Sequence, residues 1–404
     1  MIDQTENNAI SEKEILQFRK ETKGTAKVTH FNNAGASLPP DEVLTTMISF
    51  LEDEANMGGY EAEARYQPEL LRTYDLIAQL INADSNEIAI LESASAAWMI
   101  ALNGISFSKG DEIITCEMEY VTNLIGFLHL QQRDGILIKV IPNDEHGNFS
   151  LPALEEAISP KTKLLAITHI ASGTGGMMPI VAIGAIARKY GILYLLDACQ
   201  SAGQVPIDVK EIGCDMLSVT GRKYLRAPRG TGFLFVKKEI RDQLKLTAID
   251  GFNAEWVTTT DYKLRDDGRR FELYEKNRAL TLGLGKAVAY ALSIGVNRIW
   301  TRIQLLSVSL RLNLETINGV SLHDMGAQKC GIVTFSIDGI TPQDIKTKLA
   351  AKNINVSVAM AKSTLYYMDK NQLTSVVRAS VHYYNTQEEI DHLCLAVAEI
   401  SKLL

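Results

Sequence analysis

The sequence lacks any apolar run that approaches the length needed to cross a membrane, although it contains 404 residues. Its N-terminal stretch is polar and acidic and does not have the apolar centre of a signal peptide. We therefore expect a cytoplasmic protein that has no membrane partner.

Cysteine is also scarce, and its placement argues against two kinds of cross-link. The five cysteines are Cys116, Cys199, Cys214, Cys330 and Cys394. They are odd in number, lie far apart and form no Cys-x-x-Cys pair. This pattern indicates reduced thiols rather than a disulfide framework or a zinc site, so we expect no bound metal.

A broad excess of basic charge is missing as well. The chain has 41 Lys and Arg residues against 48 Asp and Glu residues, which gives a formal net charge of −7. This balance argues against a nucleic-acid partner. The basic residues near Arg226 form only a local cluster, which is better explained as part of a ligand site.

Length and composition predict a globular protein of two main domains. The hydrophobic fraction of 46% and the charged fraction of 22% are ordinary for globular proteins. A chain of 404 residues is too long for one small core. We expect an N-terminal tail and short helix over residues 1–25, a large domain over residues 26–280 and a small domain over residues 281–404.

Strand and helix patterns alternate from Ile88 to Val236. Apolar runs such as Ile88–Leu91 and Leu164–Thr168 end abruptly at polar residues, as buried strands of a parallel sheet do. This alternation predicts the α/β class, with a largely parallel sheet covered by helices on both faces. A helical stretch over residues 277–314, followed by β, α and β patterns, predicts a small C-terminal α/β domain.

The stretch from Leu193 to Val236 contains an acid and a lysine that each end an apolar run. Asp197 ends the first run, and Lys223 follows the second. Three arginines lie near the lysine in the sequence: Arg222, Arg226 and Arg229. Neighbouring cations disfavour an ammonium ion, which is one route to a nucleophilic amine. A structural Asp–Lys pair beside a solvated basic loop is the alternative interpretation.

The same stretch resembles the class V aminotransferase family, whose members are fold-type I enzymes dependent on pyridoxal 5′-phosphate (PLP). Asp197 and Gln200 match the family's Asp-x-x-Gln motif, and Thr220, Arg222 and Lys223 match its lysine motif. The sequence of residues 221–232 resembles that of a subgroup related to hercynylcysteine sulfoxide lyases and isopenicillin-N-epimerase-like proteins. The resemblance implies PLP as cofactor, a seven-stranded type of sheet sandwiched by helices, and a homodimer with the site near the subunit interface.

In that family Lys223 would hold the cofactor as an imine and move the substrate's α-proton. Asp197 would keep the pyridine nitrogen protonated, and Gln200, Thr220 and Arg222 would be further cofactor contacts. The resemblance places Arg222 towards the phosphate. It leaves the roles of Arg226 and Arg229 open between substrate binding and loop structure.

A small hydroxyl-rich turn between a strand and a helix is the candidate phosphate site. Backbone N–H groups at a helix N-terminus bind phosphate well, although such turns are common. The resemblance assigns the phosphate to Ala94, Ser95 and Ala96. The family often has Thr-Glu where this chain has Ser95-Ala96, so one side-chain contact is expected to differ.

The resemblance also implies contacts to the cofactor ring. Tyr120 takes the position of the aromatic residue that stacks on the ring, with Asn123 three residues later. A surface tyrosine on a loop is the alternative. Ser172 takes the position of the residue that contacts the phenolic oxygen, while His169 is expected to be structural.

Two segments are the candidate binding site for a substrate carboxylate. Arg378 stands in an apolar strand pattern, where a lone arginine needs an anion. The resemblance assigns it the substrate's carboxylate, and it places Asn33, Ala34 and Gly35 nearby. A structural salt bridge on an edge strand is the alternative for the arginine.

A last contact is expected between subunits. Tyr274 takes the position from which family members reach the partner subunit's phosphate, but Leu273 and Tyr274 replace Gly and Thr. A domain hinge with solvated arginines explains this segment equally well.

These residues do not choose among β-elimination, transamination and epimerisation of an amino acid. Cysteine desulfurases carry a nucleophilic cysteine before the carboxylate arginine, and residues 356–364 contain none. This favours a lyase that breaks a C–S bond by β-elimination. An aminotransferase or epimerase-like enzyme is the alternative. A non-enzymatic binding protein is the least favoured interpretation, because Asp197 and Lys223 are both present. The substrate and the pathway are left open.

Overall fold

The computed structural model describes residues 9–402. Residues 1–8 of the predicted N-terminal tail lie outside the described residues. The short helix predicted after Ser11 is α1 (Glu12–Lys20), and Ser11 and Glu14 form a capping box at its N-terminus.

The remaining elements follow in chain order. The other helices are α2 (Asp41–Met57), α3 (Gly59–Arg65), α4 (Gln67–Ile81), α5 (Ala94–Gly104), α6 (Val121–Asp134), α7 (Leu151–Ala157), α8 (Ile180–Tyr190), α9 (Val209–Ile212), α10 (Arg278–Ile294), α11 (Val296–Glu315), α12 (Pro342–Ala350), α13 (Leu365–Lys370) and α14 (Gln387–Ser401). The strands are β1 (Thr29–His30), β2 (Ile88–Leu91), β3 (Glu112–Cys116), β4 (Leu137–Ile141), β5 (Thr162–Thr168), β6 (Leu193–Asp197), β7 (Met216–Thr220), β8 (Gly232–Val236), β9 (Ala254–Thr258), β10 (Asp261–Leu264), β11 (Val320–Leu322), β12 (Ile332–Ile337), β13 (Ile354–Asn355), β14 (Ser357–Met360) and β15 (Ser375–Ser380).

A seven-stranded sheet in the order β2-β8-β7-β6-β5-β3-β4 forms the centre of the molecule. Strands β4, β3, β5, β6 and β7 pair in parallel, and β8 runs antiparallel to both of its neighbours. Parallel strands bring their carboxyl ends to one edge, so Thr168, Asp197 and Ser218 lie side by side in register. The predicted α/β class with a mostly parallel sheet is confirmed.

The inner strands of the sheet are buried on both faces, which explains why they read as continuous apolar runs, whereas the edge strand β4 is mostly half-buried. In β6, Tyr194 and Leu196 belong to one apolar cluster and Leu195 belongs to another. Alternate side chains point to opposite faces of a strand, and each fully buried aliphatic side chain contributes about 1.5–3 kcal/mol. The strand therefore places Asp197 rigidly at the edge where it ends.

A second sheet, in the order β11-β12-β15-β14, is antiparallel and carries Arg378 in β15. The N-terminal segment packs against this part of the chain: β1 pairs with β13, and Asn32 bridges to Ser380. Ile15 and Phe31 share an apolar cluster with residues of α11, α14 and β15.

The helical stretch predicted over residues 277–314 consists of two helices rather than one. α10 and α11 meet at Gly295, which has a φ of 91°, a conformation that glycine adopts without strain. The predicted domain boundary after residue 280 falls inside α10. Within residues 9–402 no single helix meets the length and hydropathy expected of a membrane span; α10 and α11 do so only together, across a 77° bend.

A hairpin of β9 and β10 occupies a region that reads as irregular in the sequence. It has little apolar alternation for a periodicity argument to detect. Trp256 on this hairpin is 79% exposed.

Candidate active site

The carboxyl edge of the large sheet forms a cleft that collects most of the predicted residues. Its lining includes Ala94, Ser95, Tyr120, Ser172, Asp197, Gln200, Thr220, Arg222 and Lys223. Ser93, Thr122, Thr168, Ile170 and Cys199 complete it. Ligands of open α/β sheets bind at this edge.

Asp197 is buried at the base of this cleft and is held by two N–H donors. Its Oδ1 accepts from the backbone N–H of Cys199 at 2.8 Å, and its Oδ2 accepts from Asn123 Nδ2 at 3.0 Å. Asn123 is itself buried and is not part of the cleft lining. It therefore contacts the Asp197 carboxyl group, whereas the sequence predicted a contact with the cofactor itself.

Lys223 follows β7 and is buried in the cleft. Burial lowers its pKa to about 8; Arg222 and Arg378 add to this shift, while Cys199 and Asp197 oppose it. The amine is thus partly unprotonated near neutral pH. The arginines that disfavour its charge differ from the predicted set, because only Arg222 is common to both.

Arg226 is buried away from the cleft among three aromatic rings, with its guanidinium 4.5 Å from the Tyr384 ring centroid. Its Nε donates to Leu38 O at 2.8 Å, and its Nη2 donates to Thr22 Oγ1 at 2.6 Å. Arg226 is therefore a structural residue that fastens the N-terminal segment. Arg229 is exposed and has no ion-pair partner within residues 9–402.

The residues of the predicted phosphate cradle lie at the N-terminus of α5. Ser93 caps the helix, and its Oγ accepts from Ala96 N at 3.1 Å. Because the Ala96 N–H is already used, Ala94 and Ser95 are left as the N–H donors that face the cleft. The cap serine was missed, although a serine just before an apolar helix is a recognisable signal.

Gly232 is a second residue whose role the sequence did not reveal. A Cβ at this position would lie 2.7 Å from Ser93 C and 2.8 Å from Ala94 N. The glycine therefore lets β8 press directly against the cradle. In the sequence, only its position in the Arg229-Gly230-Thr231-Gly232 segment hints that a close backbone contact needs a glycine there.

Arg378 and Gln200 both bond to Ser172. Arg378 Nη1 donates to Ser172 O and Oγ at 2.8 and 2.9 Å, and Gln200 Nε2 donates to Ser172 Oγ at 3.0 Å. Arg378 Nε donates to Ser357 Oγ at 3.0 Å. Among the described residues, Nη2 of Arg378 has no hydrogen-bond partner, which leaves it for an anionic ligand.

The segment from Asn33 to Gly35 supports the site from behind. Asn33 is fully buried; its Nδ2 donates to Ser380 O at 2.7 Å, and its Oδ1 accepts from the Tyr384 hydroxyl at 2.5 Å. Its side chain is thus used within the protein and cannot bind a substrate directly, in contrast to the prediction. Ala34 O accepts from Gln200 Nε2 at 3.2 Å, and Gly35 O accepts from Arg222.

Tyr274 lies outside the cleft of its own chain. It is 52% exposed, and its backbone N–H donates to Asp250 Oδ2 at 2.8 Å. A contact with a partner subunit's phosphate stays a prediction. His169 is buried, and burial lowers its pKa to about 4, so it is uncharged near neutral pH.

The cleft has the features that PLP requires. It combines an open helix N-terminus, an aromatic residue, a buried carboxyl and a buried lysine. Gln200 Oε1 is buried without a hydrogen-bond partner, which leaves an acceptor for a donor on the cofactor or substrate. No cluster of three or more metal-binding side chains occurs in the part of the chain that the structure describes.

Fold and cleft together define a fold-type I PLP-dependent enzyme. Residues 29–393 match the family model for aminotransferase class-V, and the chain belongs to that family. Its cofactor is PLP. The closer likeness to hercynylcysteine sulfoxide lyases stays a prediction.

Relatives with this fold share most of their length with the chain. A probable cysteine desulfurase of Methanothermobacter thermautotrophicus is 30% identical over 368 residues, which are 90% of this chain and 92% of the relative. One of Xylella fastidiosa is 30% identical over 391 residues, 93% of this chain and 91% of the relative. The apo cysteine desulfurase of Thermococcus onnurineus NA1 superposes with a TM-score of 0.90 at 27% identity, covering 96% of this chain and 98% of that one.

Proposed function

We propose that this protein cleaves the carbon–sulfur bond of a cysteine-derived amino acid by β-elimination. The observation that carries the proposal is the buried Lys223 in a cleft whose lining has one thiol, Cys199, and burial raises the pKa of that thiol well above its ordinary value. The names of the relatives support chemistry at the sulfur of cysteine.

The chain's own residues supply the binding site for the cofactor. The N–H groups of Ala94 and Ser95 would hold its phosphate, Tyr120 would cover its ring, and Asp197 would pair with its ring nitrogen. When bound, PLP supplies an electron sink that stabilises negative charge at the α-carbon of an amino acid.

Lys223 moves the protons of the reaction. With a pKa lowered to about 8 by burial, its Nζ exists near neutral pH in both the form that accepts a proton and the form that donates one. A group poised in this way can take the α-proton and return a proton to the departing sulfur.

Arg378 binds the carboxylate of the substrate. Ser172 and Ser357 hold its Nη1 and Nε, so its remaining Nη2 has a defined direction. A charge-assisted hydrogen bond from a fixed guanidinium orients the α-carbon relative to Lys223.

Sulfur transfer to the enzyme needs a thiolate, and the chain offers a poor one. Residues 356–364 contain no cysteine, and Cys116, Cys214, Cys330 and Cys394 are buried. Cys199 lines the cleft, but burial and the Asp197 carboxylate raise its pKa well above the ordinary value. A protonated thiol is a weak nucleophile, so the sulfur fragment leaves directly.

The products distinguish the reactions. Supplied with cysteine, cystine or S-alkylcysteine, the holoenzyme should form pyruvate, ammonia and the sulfur fragment, because β-elimination followed by hydrolysis consumes one water. Alanine together with sulfur bound covalently to Cys199 would instead indicate a desulfurase. Amino transfer to an added keto acid would indicate an aminotransferase, and racemisation of the amino acid would indicate an epimerase-like enzyme.

We also propose a homodimer. Trp256 and Tyr262 on the β9–β10 hairpin and Leu273 and Tyr274 are large, exposed side chains. A second copy that covers them would place Tyr274 near the partner's site. The amino-acid substrate is small, and the acidic chain gives no support for a nucleic-acid partner.

A further inference from the structure

A second carboxyl group lies behind the cofactor's acid and has no assigned role. Glu119 is fully buried just after β3. Its Oε1 accepts from Tyr120 N and Asn123 Nδ2, both at 2.8 Å. Its Oε2 contacts Thr168 N at 2.9 Å and Thr115 Oγ1 at 3.2 Å. The carboxyl group thus connects the ends of β3 and β5 with the start of α6.

One amide group joins this carboxyl to the cofactor's acid. Asn123 Nδ2 donates to Glu119 Oε1 at 2.8 Å and to Asp197 Oδ2 at 3.0 Å. Both N–H bonds of the amide are therefore used by two buried acids. Two buried carboxylates that share one amide group repel each other, which favours a proton on one of them.

The surroundings decide which acid carries the charge. Asp197 lines the cleft together with Lys223, whereas no Lys or Arg in residues 9–402 contacts the Glu119 carboxyl. Burial and the Asp197 charge raise the pKa of Glu119 to about 8, although its N–H contacts oppose this shift.

The hydrogen-bond partners of Glu119 also permit a proton. Three of them are N–H donors, and the fourth is the Thr115 hydroxyl, which can accept as well as donate. A proton on Oε2 therefore has an acceptor. Cys116 and Tyr194, the other titratable groups near Glu119, have pKa values raised well above their ordinary values by burial and stay neutral.

We infer that Glu119 is a positioning residue for the cofactor: it aims the Asn123 amide at Asp197 and, as the acid outside the cleft, leaves the pair's single negative charge on Asp197. The pyridine nitrogen of PLP then meets a carboxylate whose orientation and charge are both set in advance. The inference rests on PLP binding, whichever bond of the substrate breaks.

The test uses the full chain, stripped of cofactor and titrated with PLP. E119A should weaken PLP binding roughly tenfold, because Asn123 loses the partner that orients it. E119Q should bind within about threefold of wild type, because its amide oxygen still accepts from Tyr120 N and Asn123 and its NH2 group can donate to the Thr115 hydroxyl, although the contact with Thr168 N is lost. E117Q is the matched control, since Glu117 is buried two residues away but pairs with Lys370 at 3.1 Å.

Two further measurements separate positioning from a purely structural role. In an Asn123→Ala background, E119A should add no further loss of PLP affinity. The infrared C=O stretch of a protonated acid should be present at pH 7, fade as the pH rises through about 8, and be absent in E119Q but kept in E117Q.

Three results would contradict the inference. Unchanged PLP affinity in E119A, or an undiminished E119A effect without Asn123, would overturn the positioning role. An infrared band that survives in E119Q would overturn the charge assignment. None of these readouts measures turnover, so a failed C–S cleavage assay would leave them interpretable.

Discussion

Arg378 Nη1 donates hydrogen bonds to both the backbone oxygen and the hydroxyl of Ser172, at 2.8 and 2.9 Å. Ser172 lines the cofactor cleft, and its hydroxyl also accepts from Gln200. The arginine proposed to bind the substrate carboxylate is thus hydrogen-bonded to a residue of the cleft wall.

Replacing Arg378 with alanine should raise the substrate KM, at a cost of roughly 2–5 kcal/mol in binding, because a buried charge-assisted contact is lost. Steady-state kinetics on the preferred amino acid measure this cost. Arg229→Ala is the control, since that arginine is exposed. A wild-type KM in the R378A enzyme would show that Arg378 does not bind the substrate.

The stability of the cofactor-free protein should depend on pH through Lys223. Its pKa is lowered from 10.5 to about 8 by burial, so the cofactor-free folded chain binds fewer protons than the unfolded chain between these values. The contribution of Lys223 to stability should therefore rise as pH increases from about 8 towards 10.5. In denaturant unfolding across this range, the stability of the wild type should rise relative to that of Lys223→Met.

The same substitution has a second expected outcome. Without the amine, Lys223→Met should lose the visible absorbance of bound PLP, and kcat should fall by about 10²–10⁴-fold. Lys237→Met is the comparison, because Lys237 is exposed. Full turnover in K223M would exclude Lys223 as the proton carrier.

Gly232→Ala should destabilise the protein by about 1–3 kcal/mol and weaken PLP binding, because the new Cβ would push on Ser93 and Ala94. Gly251→Ala is a matched control, since a Cβ there meets nothing within 4 Å. Thermal unfolding and PLP titration of both variants report the two effects. Equal behaviour of the two variants would contradict the close-packed cradle.

Tyr274→Phe should weaken PLP binding although Tyr274 lies outside its own chain's cleft, because the hydroxyl would serve the partner's phosphate. Tyr60→Phe, another exposed tyrosine, should have no effect. Light scattering gives the mass of the assembly, and PLP titration gives the affinity. A monomer, or unchanged PLP affinity in the variant, would refute the shared site.

Local patterns predicted the parts of this site that lie at the ends of regular elements. Asp197 ends an apolar run, and Ala94 and Ser95 begin a helix after a short strand, so periodicity and turn chemistry mark these positions, while the resemblance to the family supplies their roles. Asn33 was misjudged because its partners, Ser380 and Tyr384, lie about 350 residues away in the chain. Nothing in the sequence near Asn33 shows that its side chain is already used.

The sequence by itself determined the alternation of strands and helices, because apolar spacing is a local property, while the resemblance to the family selected the acid, the lysine and the arginine. Only the tertiary structure decided which charged groups meet. In the folded chain Arg226 packs among aromatic rings, and Arg378 donates to Ser172. The Asn123 amide donates to both Glu119 and Asp197. The physical reason is that strand order and the packing of the two sheets set these distances, and neither is encoded in a local pattern.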